Sequence, residues 1–274
     1  MPPHSGVRAG SRSAPRERAD QLLVDRGLAD SRSRAQALIM AGLVFSETTR
    51  IDKPGSRLAG DAPLSLKGRD HPWVSRGGLK LEKALSAFDI DPSDATAIDV
   101  GASTGGFTDV LLSRGAHHVY AVDVGHGQLA WRIRQDERVT VLERTNARFL
   151  STAEVPEPVD LIVCDASFIG LKVVLPAAMA LAAPDAKLIA LIKPQFEVGR
   201  GRVGKGGVVR DPALHTEVCA GIEAWLTATP GWASLGVVES PITGPEGNVE
   251  FLIGGHYAEG RHPSGDGESG VADR

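Results

Sequence analysis

The chain has 274 residues, of which 42% are hydrophobic, and it carries a formal net charge of −4 at neutral pH. This length accommodates one large domain and one small domain. Its two cysteines exclude a disulfide-stapled scaffold, and we expect no metal-binding cluster. No apolar run reaches the ~18 residues that a membrane span needs, and the first residues lack the apolar core of a signal peptide. We therefore expect a soluble, cytoplasmic protein with no membrane partner and no metal.

The charge is unevenly distributed along the chain. Met1–Lys83 holds 15 lysines and arginines against 9 acidic residues, whereas the remainder holds 15 against 25. A basic arm on an acidic body is typical of a nucleic-acid contact. A solvated terminal segment would carry the same pattern.

The amino-terminal part predicts a tail followed by a small module. Residues 1–17 are polar and contain three prolines, which predicts a disordered tail. Residues 18–70 predict two short amphipathic helices followed by a small sheet. Ser31 is a suitable N-cap for the second helix, and Arg32 and Arg34 fall on its solvent-facing side. Exposed arginines of this kind are candidate contacts for nucleic-acid phosphates.

A linker and a helix come next. Residues 71–78 contain proline and glycine and predict an interdomain linker, in which Arg76 is a further candidate RNA contact. A helix with an apolar face follows over residues 79–88. Lys80 lies near its amino end, where the helix dipole disfavours a cation. This position suggests a function for Lys80, although a solvated surface lysine is an alternative.

A strand, a glycine-rich turn and the start of a helix follow one another in Thr96–Val110. Gly101, Gly105 and Gly106 allow the backbone to turn sharply and to approach a ligand closely. Phe107 begins the apolar stripe of the helix, whose first N–H groups face the same pocket. The stretch predicts the opening of a nucleotide-type α/β site.

Three motifs compete for this turn. The dinucleotide fingerprint G-x-G-x-x-G fails because Ser103 occupies the second glycine position. The esterase motif G-x-S-x-G fits from Gly101 to Gly105. An S-adenosylmethionine loop fits as well, because Asp99 at the strand end would repel a pyrophosphate and attract the ammonium of the methionine moiety. Asp99 as a cap of the turn is the simpler alternative.

Two further strand ends extend the predicted cofactor site. Asp123 ends the second apolar strand, where a carboxylate can accept hydrogen bonds from ribose hydroxyls. Asn146 follows the third strand. The predicted S-adenosylmethionine-binding residues are Asp99, Gly101, Ser103, Gly105, Gly106, Phe107, Asp123, Asn146 and Asp165.

Strands and helices alternate over residues 79–256, which predicts an α/β fold with a Rossmann-like, doubly wound sheet. The S-adenosylmethionine loop makes it a candidate methyltransferase sheet. The last two strands are joined without a helix, so this mainly parallel sheet should end in an antiparallel strand. A second disordered tail is predicted at 257–274. The predicted strands are 96–100, 119–123, 139–142, 159–165, 186–193, 235–239 and 249–253. The predicted helices are 79–88, 106–114, 127–134, 171–181 and 212–226.

Ligands of such sheets lie beyond the carboxyl ends of the strands. Asp165 and Lys193 end the fourth and fifth strands, and Glu250 begins the final antiparallel strand, so all three face this edge. With Lys80 they form the predicted catalytic cluster. Methyl transfer to a ribose hydroxyl needs a base, and a lysine serves when burial and a neighbouring cation lower its pKa. We therefore predict that Lys193 removes the proton and that the two acids hold the lysines.

Phe196–Asp211 is rich in glycine and basic residues. Its match to the phosphate-loop motif fails because Gly206 replaces the Ser or Thr that would hold magnesium. We interpret the segment as a mobile basic flap, in which Arg200, Arg202 and Lys205 contact RNA phosphates. A plain flexible surface loop is the alternative.

The small module resembles a known RNA-binding fold. Leu22–Val44 is similar to the α-L RNA-binding module of a small-subunit ribosomal protein, and this implies recognition of folded RNA by shape and backbone. The sequence departs from that module at Phe45–Thr49, which replaces the usual Val-Asn-Gly turn.

From Ala19 to Gly254 the chain closely resembles the TlyA family of haemolysins and ribosomal RNA methyltransferases. The resemblance is carried by the small module and by residues 74–85, 99–108, 164–169, 192–197, 204–211 and 247–250. The body also resembles FtsJ-like 2′-O-methyltransferases, whose Lys-Asp-Lys-Glu tetrad matches Lys80, Asp165, Lys193 and Glu250. The resemblance implies S-adenosylmethionine-dependent 2′-O-methylation of cytidine in ribosomal RNA within ribosomal subunits. It implies no particular oligomeric state.

Three other functions remain as hypotheses. A serine hydrolase would use Ser103, since Asp165 and either His215 or His256 follow it in the order of an α/β-hydrolase triad. That hypothesis gives no role to Asp99 or to the RNA module. A pore-forming haemolysin and a non-catalytic RNA-binding protein are the other two.

Overall fold

The computed structural model describes residues 16–29, 31–40, 42–66, 71–244 and 247–258. The chain divides into two units, residues 1–72 and 73–274. Most of each predicted tail lies outside the described residues. The inner ends do not: Arg16 and Glu17 belong to the first strand, and Tyr257 belongs to the last.

The small unit contains two helices and two small sheets. Its elements are β1 (Arg16–Arg18), α1 (Ala19–Asp25), α2 (Arg32–Met40), β2 (Val44–Ser46), β3 (Thr49–Arg50), β4 (Arg57–Ala59) and β5 (Leu64–Leu66). β1 pairs antiparallel with β4, and β2 pairs antiparallel with both β3 and β5. The unusual turn sequence therefore still closes a hairpin between β2 and β3, with Glu47 in the left-handed region at φ 54°.

The two helices of the small unit bury their apolar faces in a common core. Leu23 and Ala35 are fully buried and Ile39 is 1% exposed. The predicted N-cap of α2 is confirmed, because Ser31 Oγ accepts the N–H of Arg34 at 3.2 Å. Burial of apolar area together with a capped helix start is sufficient to explain why so short a helix is stable here.

A buried carboxylate joins α1 to α2. Asp20 has no exposed side-chain surface, and it accepts hydrogen bonds from Arg18, Arg32 and Gln36 at 2.9–3.0 Å. The Arg18 guanidinium, followed by the amide of Gln36 and the Arg32 guanidinium, holds the pKa of Asp20 far below its usual range. Arg32, predicted to contact RNA, thus also has a structural partner, while about half of its side chain stays exposed.

The large unit contains one seven-stranded sheet flanked by helices. Its elements are α3 (Gly77–Phe88), β6 (Thr96–Val100), α4 (Gly106–Ser113), β7 (His118–Asp123), α5 (Trp131–Arg134), β8 (Val139–Glu143), β9 (Val159–Cys164), α6 (Leu171–Val174), α7 (Pro176–Met179), β10 (Ala182–Ile192), α8 (Pro194–Glu197), α9 (Pro212–Ala228), β11 (Trp232–Glu239) and β12 (Phe251–Tyr257). Short 3₁₀ turns occur at Ala147–Phe149, Arg200–Arg202 and Lys205–Gly207. No helix in the described ranges is both long enough and apolar enough to cross a membrane.

The sheet confirms the predicted fold class. Its strand order is β11-β12-β10-β9-β6-β7-β8, in which β10, β9, β6, β7 and β8 are mutually parallel. β12 is antiparallel to both of its neighbours, as predicted for the last strand. β6 lies in the interior of the sheet and alternates its side chains between two apolar layers, with Ile98 in one layer and Ala97 in the other.

The helix predicted at residues 127–134 is wrong in its first half. Only α5 forms: Gly127 adopts a left-handed φ of 69°, and its N–H donates to the side chain of Glu143. A residue with that φ cannot continue a right-handed helix.

The helix predicted at 171–181 is broken, and α3 begins earlier than predicted. Pro176 has no N–H to donate and starts a new turn, so α6 and α7 are separate. α3 starts at Gly77, inside the predicted linker at 71–78. β10 likewise starts at Ala182, although its regular pairing with β9 begins only at Lys187.

We predict that Asp20→Asn lowers the free energy of unfolding of the small unit by about 1–3 kcal/mol near pH 7. The loss arises because the ionised carboxylate of Asp20 is stabilised in the folded state, where its pKa is lowered. Its contribution to the free energy of unfolding is fully present above pH ~4 and is lost as the pH falls through the native pKa. Hydrogen exchange of α1 and α2 in the full chain, corrected for the intrinsic exchange rate at each pH, measures this difference: the effect of the substitution should be full at pH 7 and already smaller at pH 3.

Asp25→Asn is the matched control on the same helix. Asp25 is exposed and accepts one hydrogen bond from Gln21 at 2.8 Å. Its replacement should change stability by less than about 0.5 kcal/mol at either pH. Equal effects of the two substitutions would show that the buried network does not stabilise the unit.

Candidate active site

Four charged side chains of the large unit meet at the carboxyl edge of the sheet. Asp165 follows β9 and Lys193 follows β10. Lys80 lies in the first turn of α3, and Glu250 directly precedes β12. Because β12 runs antiparallel to β10, the start of β12 lies beside the end of β10, and Ile192 pairs with Phe251. The four predicted catalytic residues are thus brought together from distant parts of the chain.

Direct ion pairs connect these four residues. Lys193 Nζ lies 2.6 Å from Asp165 Oδ1, and it also donates to Asp165 O at 3.1 Å and to Ser167 Oγ at 2.8 Å. Lys80 Nζ donates to Glu250 Oε2 at 2.7 Å and lies 3.6 Å from Asp165 Oδ2. Asp165 therefore lies between the two lysines, and Glu250 holds the outer one.

Three of the four side chains are almost completely withdrawn from solvent, while about a fifth of the Asp165 side chain stays exposed. Lys80 and Lys193 are 7% and 6% exposed, and Glu250 is 1% exposed. Burial of a charge costs several kcal/mol unless an opposite charge compensates it, and two lysines here face two carboxylates. Glu250 Oε1 has no hydrogen-bond partner among the described residues, so this carboxylate keeps one unused acceptor.

A cavity of about 390 Å³ opens onto the two lysines. Its wall is formed by the segment that leads into α3, by the glycine-rich turn, by the strand ends and by the segment before Glu250. The lining residues include Ser75, Arg76, Gly77, Lys80, Gly106, Phe107, Asp165, Lys193, Ile242, Thr243 and Gly244. We call it the lysine cavity.

A second cavity of about 360 Å³ lies beside the first. Its lining is more apolar and includes Val122, Asp123, Gln128, Asn146, Phe168 and Ile169. Gly101, Ser103, Asp165 and Ser167 line both cavities. We call it the strand-end cavity; a ligand that fills both would pass directly beside Asp165.

The glycine-rich turn has the backbone conformation that its sequence predicts. Gly101 has a φ of 84°, and a Cβ there would lie 2.9 Å from Ala166 Cα. A Cβ at Gly106 would lie 2.2 Å from Ser75 Oγ. Gly105, at φ 91°, precedes α4 and packs against Leu129. Gly101 thus lets the turn pack against the loop that carries Asp165, whereas Gly106 lets the start of α4 pack against the segment that leads into α3.

Asp99 lies near the end of β6, with its side chain in the interior. Its carboxylate is fully buried, and Oδ2 accepts the N–H and the hydroxyl of Thr108 at 3.0 and 2.7 Å. Burial raises the pKa of Asp99 to about 7, against the effect of the Thr108 hydrogen bonds. It lines neither cavity. The structure therefore favours the alternative reading, in which Asp99 fixes the start of α4 against β6.

Asp123 and Asn146 both line the strand-end cavity. Asp123 Oδ2 accepts the N–H of Ser103 at 2.8 Å, and Oδ1 accepts that of Gly125 at 2.6 Å. Asn146 Oδ1 accepts the N–H of Arg148 at 3.2 Å. Asp123 thus shapes the glycine-rich turn and also presents a carboxylate to the cavity.

The arginines and lysine predicted to bind RNA lie in three places. Arg32 and Arg34 are exposed on α2 of the small unit, and Arg76 is exposed at the lysine cavity. Arg202 pairs with Glu217 of α9 at 2.5 Å. Lys205 is exposed on the 3₁₀ turn that it begins, whereas the side chain of Arg200 lies outside the described atoms.

The serine hydrolase hypothesis is not supported by the geometry. Ser103 Oγ donates to Gln128 at 3.3 Å, and Asp165 is engaged by the two lysines. His215 bonds to the carbonyl of Val209 at 2.8 Å. His256 pairs with Lys187 at the opposite edge of the sheet. The described residues therefore contain no hydrogen-bonded triad around Ser103.

Several residues at the site were not predicted. Ser75 lines the lysine cavity, Ser167 bonds Lys193, Thr108 holds Asp99, and Asn248 is buried two residues before Glu250. Ser167 could have been inferred from its position two residues after Asp165. The others have no sequence signal of their own, since polar residues in loops are common on any surface.

We predict that Gly101→Ala lowers the free energy of unfolding by about 2–4 kcal/mol, because it adds backbone strain and a Cβ that meets the Ala166 backbone. Gly115→Ala is the matched control. Gly115 has a φ of 88°, but a Cβ there would make only ordinary contact with Ser93 at 3.8 Å. Gly115→Ala should lower the free energy of unfolding by about 1 kcal/mol, from backbone strain alone. Urea unfolding of both variants measures the difference; equal losses would exclude the packing argument.

Comparison with known proteins agrees with this geometry. The FtsJ-like methyltransferase family profile matches residues 73–257, and the S4 domain profile matches residues 17–62. The chain is 50% identical over 241 residues to "16S/23S rRNA (cytidine-2'-O)-methyltransferase TlyA" of Mycobacterium tuberculosis H37Rv, covering 88% of this chain and 90% of that one. It is 48% identical over 259 residues to "Putative rRNA methyltransferase YqxC" of Bacillus subtilis, covering 94% and 90%.

A solved structure agrees over the same extent. "Putative hemolysin from Streptococcus thermophilus" superposes with a TM-score of 0.70 at 42% sequence identity, and the match covers 90% of each chain. The two profile matches together account for both units, and the relatives match nearly the whole chain. The chain belongs to the TlyA family, with an S4 domain followed by an FtsJ-like methyltransferase domain.

Proposed function

We propose that this protein transfers a methyl group from S-adenosylmethionine to the ribose 2′-hydroxyl of a cytidine in ribosomal RNA within ribosomal subunits. The observation that carries the proposal is the buried chain Lys193–Asp165–Lys80–Glu250 at the lysine cavity, directly beside the strand-end cavity. The names of the relatives support the class of substrate.

The residues of the strand-end cavity suit S-adenosylmethionine. Asp123 presents a carboxylate at the end of β7, where ribose hydroxyls are bound in related folds. Asn146, Phe168 and Ile169 supply a polar group and apolar surface for a nucleoside. The shared residues Gly101 and Ser103 would hold the part of the cofactor that extends toward the lysines. When bound, S-adenosylmethionine supplies an electrophilic methyl group on its sulfonium.

Lys193 is the proposed base. Its Nζ lies at the wall of the lysine cavity. Once the ammonium that pairs with Asp165 has released a proton to solvent, the neutral amine can accept the proton of a ribose 2′-hydroxyl. Asp165 Oδ1, at 2.6 Å, stabilises the ammonium that Lys193 becomes, and Ser167 fixes the direction of Nζ. Lys80 and Glu250 hold the other oxygen of Asp165 in place. The hydroxyl is thereby made nucleophilic in a site from which most water is excluded.

The arrangement of positive charge suits an RNA substrate. Arg76 is exposed at the mouth of the lysine cavity, where a phosphate next to the target ribose would lie. Residues 199–211 supply the exposed Lys205 and Arg202, whose guanidinium pairs with Glu217 in the absence of RNA. The S4 domain contributes Arg32 and Arg34 as contacts to folded RNA.

We predict that Lys193→Arg reduces methyl transfer at least about 100-fold and leaves S-adenosylmethionine affinity within about threefold, because arginine keeps the positive charge but cannot release a proton. The assay measures transfer of labelled methyl groups to ribosomal subunits that lack the modification, with nuclease digestion to locate the label on ribose. Calorimetry measures cofactor affinity.

Lys187→Arg is the matched control, since Lys187 lies on the same strand, is half-buried and lines neither cavity. It should transfer methyl groups at the wild-type rate. Normal transfer by Lys193→Arg would contradict the proposed base. Tight cofactor binding by the wild type without label on either subunit would contradict the substrate and favour a non-catalytic RNA-binding role.

A further inference from the structure

The side chain of Asn248 joins two segments that are distant in sequence. Its Oδ1 accepts the N–H of Val209 at 3.1 Å, and its Nδ2 donates to the carbonyl of Gly207 at 3.0 Å. Asn248 is 3% exposed. An amide that is bonded at both ends and buried fixes the relative position of the two backbones, because either bond is costly to lose without water to replace it.

The segment around Asn248 also fixes Glu250. Asn248 O accepts the N–H of Gly244 at 2.8 Å, and Glu250 O accepts that of Ser240 at 2.9 Å. The Glu250 carboxylate lies so close to Gly244 that a Cβ there would be 2.1 Å from Oε1. With this little free space, a shift of residue 248 must be transmitted to the carboxylate two residues later.

A continuous set of contacts therefore runs from the loop of residues 199–211 to the two lysines. Val209 and Gly207 bond to Asn248, and Glu250 bonds to Lys80 at 2.7 Å. Lys80 in turn lies 3.6 Å from Asp165. The same loop carries the exposed basic side chain of Lys205.

We propose that Asn248 is a positioning residue that couples the loop of residues 199–211 to Glu250. The loop must occupy its bonded position for Glu250 to hold Lys80, and through Lys80 the carboxylate of Asp165. RNA that engages the loop would then favour the arrangement in which the lysine cluster is complete. This inference rests on the proposed function, because it assigns the loop's role in methyl transfer.

Asn248→Ala and Asn248→Asp test the coupling. Aspartate keeps the acceptor for Val209 but loses the donor and places a negative charge beside the Gly207 carbonyl. Both variants should lower kcat on unmodified subunits about tenfold or more, with KM and S-adenosylmethionine affinity within about threefold, because Asn248 lines neither cavity. Amide exchange in residues 207–211 should accelerate. Unchanged kcat, or equal losses of kcat and cofactor binding, would overturn the proposal.

Glu217→Gln is the control for simple loosening of the loop. It removes the ion pair with Arg202, which holds the loop to α9, and leaves the bonds of Asn248 intact. Its kcat should stay within about twofold of the wild-type value. A loss as large as that of Asn248→Ala would show that loop mobility alone matters, and would overturn the coupling through Asn248.

A double-mutant cycle with Glu250→Gln makes the test specific. If Asn248 acts through Glu250, Asn248→Ala should reduce single-turnover methyl transfer by less than about twofold when Glu250→Gln is already present. Fully multiplicative losses would overturn the coupling. If the wild type labels no subunit, the proposed function fails on its own. The coupling is then tested by hydrogen exchange of the backbone amides alone. Unchanged exchange rates at residues 207–211 and around Glu250 in Asn248→Ala would overturn it.

Discussion

Burial of two lysines and two carboxylates in one cluster is the constraint on which the rest of the large unit depends. Each of Lys80, Lys193 and Glu250 is less than 10% exposed. Loss of any one partner would leave an uncompensated buried charge, at a cost of about 3–5 kcal/mol. The amino end of α3, two parallel strand ends and the start of β12 must therefore converge. Lys80 lies at the end of α3 where the helix dipole disfavours a cation, and the Glu250 carboxylate, 2.7 Å away, compensates its charge.

The strand order makes this convergence possible. In a wholly parallel sheet, the residue before a strand lies at the edge opposite to the site. β12 is antiparallel and inserted beside β10, so the residue before it lies next to the residue after β10. A single reversed strand thus adds Glu250 to a site that otherwise consists of residues after strands. The direction of β12 therefore determines both the topology of the sheet and the place of Glu250 in the charge cluster.

The sequence was sufficient for the sheet and most of the strand-end residues, because strand periodicity and the parallel topology place Asp165 and Lys193 without further information. Glu250 followed from the antiparallel direction predicted for its strand, and Lys80 was singled out by its unfavourable position near the amino end of a helix. The cofactor contact of Asp99 stays a prediction: strand periodicity places this residue near the end of β6 but does not reveal its partner, and the carboxylate points into the interior toward Thr108. Asn248 was missed because its partners lie about 40 residues away in an irregular loop.

The two cavities differ in how they are built, and the difference fits their proposed roles. The strand-end cavity is formed largely by residues at, or soon after, the carboxyl ends of β6, β7, β8 and β9. The lysine cavity adds Ser75 and Arg76 before α3, Gly77 at its start, and the loop segment Ile242–Gly244. Loops open more readily than strand ends. S-adenosylmethionine and the RNA are both exchanged at each turnover, but they differ in size: a small molecule suits the first wall, whereas a large RNA suits a wall made partly of loops.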